Sequence, residues 1–284
     1  MIRMKSMHHM EKGSFMSGWD PFLLLITLLL AGLYLYTTGV GKLKRNETFS
    51  VSRLKKISFL LGVLLLFIAK GSPLNQMGHS LFLIHMLQQS ILYLAVPPLI
   101  LGGLSLGMVK AIKLKLPKWI SKSFTLLAKP LIAIILFNTL FSFYHIPFIF
   151  DAIMSNMVWM NLSIMILFPA ALLMWWPVLS PTRMNELKPL YKVAYIFGMG
   201  MLLTPACALI IFSKEILYDT YLEMPRLYGI SILDDQQSGG IVMKVMQEVI
   251  YAIVLAIVFF QWTRSEKNKT REEDRVRLER SGSF

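Results

Sequence analysis

Cysteine is almost absent from this chain: the single Cys207 excludes an internal disulfide, a CxxC redox pair and a four-cysteine metal site. Acidic residues are scarce as well, 16 Asp+Glu against 29 Lys+Arg, leaving a net charge of +13. There is no Walker loop, HExxH or glycine-rich dinucleotide turn, so the common nucleotide and zinc-protease chemistries have no foothold. The last apolar run has no lysine over 249–262, which excludes a retinal-type Schiff base there. No cleavable signal peptide is expected, because the first long apolar run begins at Pro21 behind a polar head and no small-residue cleavage pattern follows it. No internal repeat is visible, which weighs against a transporter built from inverted halves.

What the chain has in quantity is apolar surface. Apolar residues make up 55% of its 284 positions and the mean hydropathy is +0.58, too high for a soluble domain. The sequence predicts an all-α polytopic membrane protein. Seven apolar stretches, 21–37, 54–69, 81–107, 126–144, 157–176, 191–212 and 240–262, each come near the ~20 residues needed to cross the hydrocarbon. The third contains Pro97-Pro98 and Gly102-Gly103, which predict a kink or break. Lys and Arg fall between these stretches, where they set topology and form no nucleic-acid surface, so no nucleic-acid partner is expected. With the amino terminus outside, 22 of the 29 basic residues lie on the inner side, in 38–56, 108–129, 177–192 and the tail from 263. The expected organisation is a polar, Met-rich extracytoplasmic segment over 1–20, a seven-helix membrane domain over 21–262 and a charged cytoplasmic tail over 263–284. In the first segment Met1, Met4, Met7 and Met10 crowd around His8 and His9, which reads either as an unsettled translation start or as a copper-catching tail.

Polar chemistry collects at the outer level of this topology. His79 and His85 stand at the outer end of the third stretch and His145 at that of the fourth. An ionisable side chain in hydrocarbon marks a functional-site hypothesis. His79 and His85, about 120° apart around a helix, cannot share a face, so His79 is expected in the turn after Gly78. His85 and Gln89 share a face, placing a carboxamide beside an imidazole, with Gln88 adjacent; the plainer alternative is a polar pair bonding between helices. Asn138, Phe141, Ser142 and His145 at i, i+3, i+4 and i+7 form a polar-lined stripe, followed by Asp151. Met157, Asn161 and Met165 repeat at a spacing of four. Methionine commonly fills irregular core gaps, but 13 of the 19 lie outside or in the outer half. Asp235 and Gln236 precede the last stretch, where Met243 and Gln247 share a face and Lys244 pairs with Glu248 at i, i+4. Imidazole with thioether suits Cu(I), and a carboxylate-poor set suits calcium and magnesium badly. Copper is therefore the metal expected, with His79, His85, His145 and Met243 as ligands. Gln88, Gln89, Asn138, Asp151, Asp235, Gln236 and Gln247 are expected as supporting polar groups, and Cys207 as a small core residue.

Three blocks carry a resemblance: Met77-Gly78-His79 on to Pro97-Pro98 and Gly102-Gly103; Phe137-Asn138 through Tyr144-His145-Ile146-Pro147 to Asp151; and Asp235-Gln236-Gln237-Ser238-Gly239-Gly240. In that order they resemble the CtaG family of Gram-positive bacteria, seven-helix assembly factors for caa-type cytochrome c oxidase. The resemblance spans roughly residues 15–262 and departs from the family at Lys244, where an aromatic residue is expected. It implies a non-enzymatic role in oxidase maturation at a copper centre, in a bacterial plasma membrane. Oxidase subunits, membrane lipid and other copper-handling assembly proteins are the implied partners. It carries over His79, His85, His145, Asp151, Asp235 and Gln236. Two other functions compete: a copper permease, which needs ligands continuing to the inner side, and a membrane oxidoreductase with His85 and His145 as axial haem ligands.

Overall fold

Proline opens helix after helix in this chain. It occupies the first turn, where its missing N–H costs nothing, in α1 (Pro21–Thr38), α3 (Pro73–Met77), α8 (Pro130–Tyr144), α9 (Pro147–Met154) and α11 (Pro189–Phe212). The remaining helices are α2 (Arg53–Gly71), α4 (Phe82–Ser90), α5 (Val96–Gly103), α6 (Leu106–Lys115), α7 (Lys118–Leu127), α10 (Met157–Leu179) and α12 (Ile232–Ser281). The computed structural model describes residues 18–39, 51–182, 187–224 and 229–281. His8, His9 and the methionines of the first segment fall outside these residues. No strand occurs among the described residues.

All seven apolar stretches are helical, with differences that have local causes. Among the described residues, five helices are long and apolar enough to cross a bilayer, and the pair α7–α8, bent by 83°, makes a sixth if counted as one span. The stretch 54–69 lies within α2, but Arg53, Lys55, Lys56 and Lys70 confine its uncharged run to 57–69. The expected span 126–144 is instead two helices, because Pro130 cannot continue α7 and restarts the chain in a new direction. The last stretch extends at both ends into the 50-residue α12. Large apolar side chains such as Leu28, Leu131, Phe148, Phe197 and Phe260 point outward along these helices, as a membrane-embedded bundle requires.

The break expected at Pro97-Pro98 is a π-helical turn over Ile91–Ala95, joining α4 and α5 without interruption. Two consecutive prolines supply no N–H to the preceding turn, so the ladder slips and the Val96 amide bonds to Ile91 O. Neighbouring helices satisfy carbonyls beyond the break. Ser58 Oγ donates to Leu99 O at 2.7 Å and Tyr34 Oη to Gly103 O at 2.7 Å. Gly103 lets α2 come close, since a Cβ there would lie 2.5 Å from that of Phe59.

Candidate functional site

The segments 72–81, 145–156 and 213–224 meet at one end of the bundle, and each is fastened by side chains from another. Asp235, at the start of α12, is 1% exposed and accepts from the amides of Phe82 (2.9 Å) and Leu83 (3.0 Å). It is therefore the N-terminal cap of α4, whose own sequence places Leu81 where a capping side chain would stand. Gln236 clamps the long loop, accepting from the Leu217 amide at 2.7 Å and donating to Glu215 O at 3.1 Å. Asp151 holds the 3-10 turn Asp219–Tyr221 through the amides of Asp219 and Thr220 and the Thr220 hydroxyl. Gly239 and Gly240 let α12 wedge between helices, because a Cβ would lie 2.5 Å from Phe82 at the first and 2.8 Å from Ile211 at the second. Asp151, Asp235 and Gln236 are thus committed to backbone groups.

Behind this fastening sits an aromatic roof. Phe82, Phe150, Tyr218 and Tyr221 pack ring to ring, with Tyr218 4.7 Å from Phe82 and 4.5 Å from Phe150. Two hydroxyls pin it: Tyr218 Oη donates to His145 O at 3.0 Å and Tyr221 Oη to Gly78 O at 2.9 Å. Burial raises both phenol pKa values, so they remain neutral donors.

His85 on α4 and His145 at the C-terminal end of α8 lie beneath the roof, both buried. Tyr144 stands between them, its ring parallel to His85 at 6.2 Å and edge-on to His145 at 5.1 Å. His145 Nδ1 is 2.7 Å from Phe141 O. A carbonyl only accepts, so Nδ1 carries the proton and Nε2 holds a free lone pair. That Nε2 is buried and has no hydrogen-bond partner. His85 Nε2 differs: Tyr144 Oη lies 3.1 Å from it and Gln89 Nε2 3.2 Å, and Gln89 Nε2 also donates to Tyr144 Oη at 3.3 Å. Gln89 therefore covers the atom a metal would need.

The other sequence candidates divide. Asn138 donates to Ile134 O on its own helix and leaves Oδ1 unpartnered, as is Oε1 of Gln89. Met243 is fully buried in the main core, which also holds Met86, Phe141, Tyr144 and Cys207. Gln247 donates to Gly200 O at 3.3 Å. Gln88 points away from the histidines, to Ala69 O and Asn75, which also receives Lys70. His79 occupies the turn before α4, where burial, then the Lys70 ammonium, lowers its pKa. Lys244 pairs with Glu248 at 2.6 Å. Met157, Asn161 and Met165 face outward, two of them more than 70% exposed, so this stripe lies on the bundle surface, away from the site. Tyr144 was not singled out by sequence; its only signal is its place beside His145 on the polar-lined helix.

Among the described residues no three His, Cys, Asp or Glu side chains group to hold a metal ion. The donors present are two imidazoles and the buried carboxamides of Gln89 and Asn138, with the Met86 and Met243 thioethers elsewhere in the same core. This set fits a soft ion of low coordination number and not a hard divalent cation. A family model described as cytochrome c oxidase caa3 assembly factor matches residues 34–265 of the chain. No curated protein and no solved structure matches it.

Proposed function

The chain belongs to the cytochrome c oxidase caa3 assembly factor family, and from that premise we propose that it supports oxidase maturation by holding Cu(I) in exchangeable form between His145 and His85. Family membership and the apolar exterior make it a membrane-embedded assembly factor that associates with cytochrome c oxidase. Copper is its cargo, and the role is not catalytic. The observation that carries the reading is His145 Nε2, a buried lone pair left free by a Nδ1–H fixed on the backbone, the arrangement that orients imidazole ligands in metal sites.

His145 is the first ligand in this reading. His85 becomes the second when its Nε2 releases Tyr144 and Gln89, and Met243 and His79 assist capture or exchange. Hydrogen bonds that compete for a ligand's lone pair weaken the grip, which suits a carrier that must hand its ion on. The bundle crosses the bacterial plasma membrane seven times, with α2 as a crossing despite its basic ends, the amino terminus outside and α12 ending in the cytoplasm. The histidines then lie buried at the outer end, under a loop bearing Glu215, Asp219 and Glu223 and beside Asp234 in the first turn of α12. Oxidase subunits and other copper-handling assembly proteins are the partners.

The test is anaerobic Cu(I) loading of purified protein, desalting and metal analysis. Retention near ~1 copper per chain is expected, falling heavily in His145→Ala and His85→Ala. Each variant should remain inserted, since polar contacts in membranes average well under ~2 kcal/mol, while oxidase activity at limiting copper collapses. Normal activity in both variants at normal membrane abundance would refute the copper role.

A further inference from the structure

The densest run of one charge sign among the described residues lies on α6 and α7 and at the start of α8: Lys110, Lys113, Lys115, Lys118, Lys122 and Lys129. The sequence from 48 to 150 contains neither Asp nor Glu, so none of these elements supplies an offsetting carboxylate. In α7, Lys118, Ser121, Lys122 and Thr125 recur at i, i+3, i+4 and i+7 and form one stripe. α6 brings Lys110 and Lys113 to face it, and the two helices enclose a cleft of about 790 Å³. On another side of α7, Phe124 meets Trp176 of α10 edge-on at 4.8 Å, which ties the helix to the bundle. Trp119 of α7 and Leu114 of α6 are exposed.

Orientation gives this pattern its meaning. α7 turns 83° from α8. With α8 running through the bilayer, α7 lies along its surface, where a helix with a basic stripe and protruding aromatic and aliphatic side chains belongs. Just past Lys129 a second groove, about 320 Å³ and lined by Leu131, Ile132, Ile135 and Leu136, runs down the outside of α8. A basic cleft at the membrane surface thus ends at Lys129, two residues before the apolar face of α8 begins at Leu131.

We infer that the α6–α7 cleft is a binding site for anionic phospholipid, its lysines taking the phosphate-bearing headgroup and the α8 groove an acyl chain. Lysine binds phosphate as a point charge, and basic pockets on the cytoplasmic side of membrane proteins bind such headgroups. The apolar groove selects lipid over free phosphate, because a soluble anion has no use for it. The bound lipid holds α7 in the surface plane and so fixes the depth of α8, whose far end carries His145.

The test uses full-length protein in detergent and native mass spectrometry of retained lipid, with phosphatidylglycerol, phosphatidylcholine and inorganic phosphate as probes. Phosphatidylglycerol is expected to be retained at least ~10-fold more strongly than phosphatidylcholine and not to be displaced by equimolar inorganic phosphate. Combining Lys110→Gln, Lys118→Gln and Lys122→Gln should weaken its retention on the order of 100-fold, whereas Arg at the same three positions preserves it. Equal retention of the two lipids, displacement by phosphate, or unchanged retention in the Gln variant would each overturn the site. The lipid comparison and the Arg variant decide the matter if the Gln variant does not fold.

Discussion

Tyr144 is the residue on which the proposed copper site turns, because its hydroxyl would compete with the ion for His85 Nε2. It shares His85 Nε2 with Gln89, so Tyr144→Phe keeps the ring between the imidazoles and removes one competitor for the lone pair. A net hydrogen bond of about 1 kcal/mol converts to roughly fivefold tighter Cu(I) binding, measurable by competition with a chromogenic chelator, together with slower transfer to an acceptor. Weaker binding in Tyr144→Phe would mean that the hydroxyl supports the site. The sequence offered His85, Gln89 and His145 through their spacing, but not the tyrosine between two of them, because aromatic residues are common throughout the chain. Nor did spacing reveal that Gln89 meets the ligand atom itself. His79 gives a separate prediction. Its folded-state pKa is lowered, by burial first and Lys70 second, so the unfolded chain binds the proton more readily and stability declines as pH falls below the ordinary value of about 6.5. Thermal unfolding between pH 8 and pH 5 should show this decline, and His79→Gln should flatten it; an unchanged slope would remove His79 as its source.

Among the elements, α4 depends most on a distant part of the chain. Its first two amides, one buried and one partly buried, are capped by Asp235, so Asp235→Ala strands both donors and is expected to cost about 2 to 4 kcal/mol in thermal unfolding. Asp151→Ala should cost less, nearer ~1 kcal/mol, because its bond to the Asp219 amide lies at the exposed surface. Equal losses would contradict the cap. Gly239→Ala pushes a methyl into the Phe82 ring and should destabilise by about 1 to 3 kcal/mol, with partial recovery in a second variant, Phe82→Leu. Each apolar stretch was legible as a helix, since runs of about 16 to 27 mostly apolar residues leave few alternatives, and the double proline announced the break. The run Asp235 to Gly240 was legible only as a conspicuous block: a carboxylate gives no sign in sequence that the amides it caps lie 153 and 152 residues away. The turn between α7 and α8 was missed for another reason. Apolar residues on both sides of Ala128-Lys129-Pro130 read as one run, and the amphipathic stripe of α7 was not separated from it.

For the whole molecule, the partition of basic residues predicts that a reporter fused after Phe284 is active only in the cytoplasm and one inserted in the 213–218 loop only outside. A cytoplasmic reading from the loop would turn the histidine end inward and exclude the proposed placement of His85 and His145 on the outer side. The fold class and the membrane setting came directly from composition; the number of crossings did not, because α2 is flanked by charge and α8, at 15 residues, is only about 22 Å long. Asp235 carries a further consequence, one of time. A ribosome releases the chain from its amino-terminal end, so α4 with His85 is inserted long before the carboxylate that closes it exists. Through most of translation the mouth of that helix stays uncapped and the roof cannot seat. The histidine end therefore takes its final form only when the last helix arrives, and any function that needs His85 and His145 in place must wait for the end of synthesis.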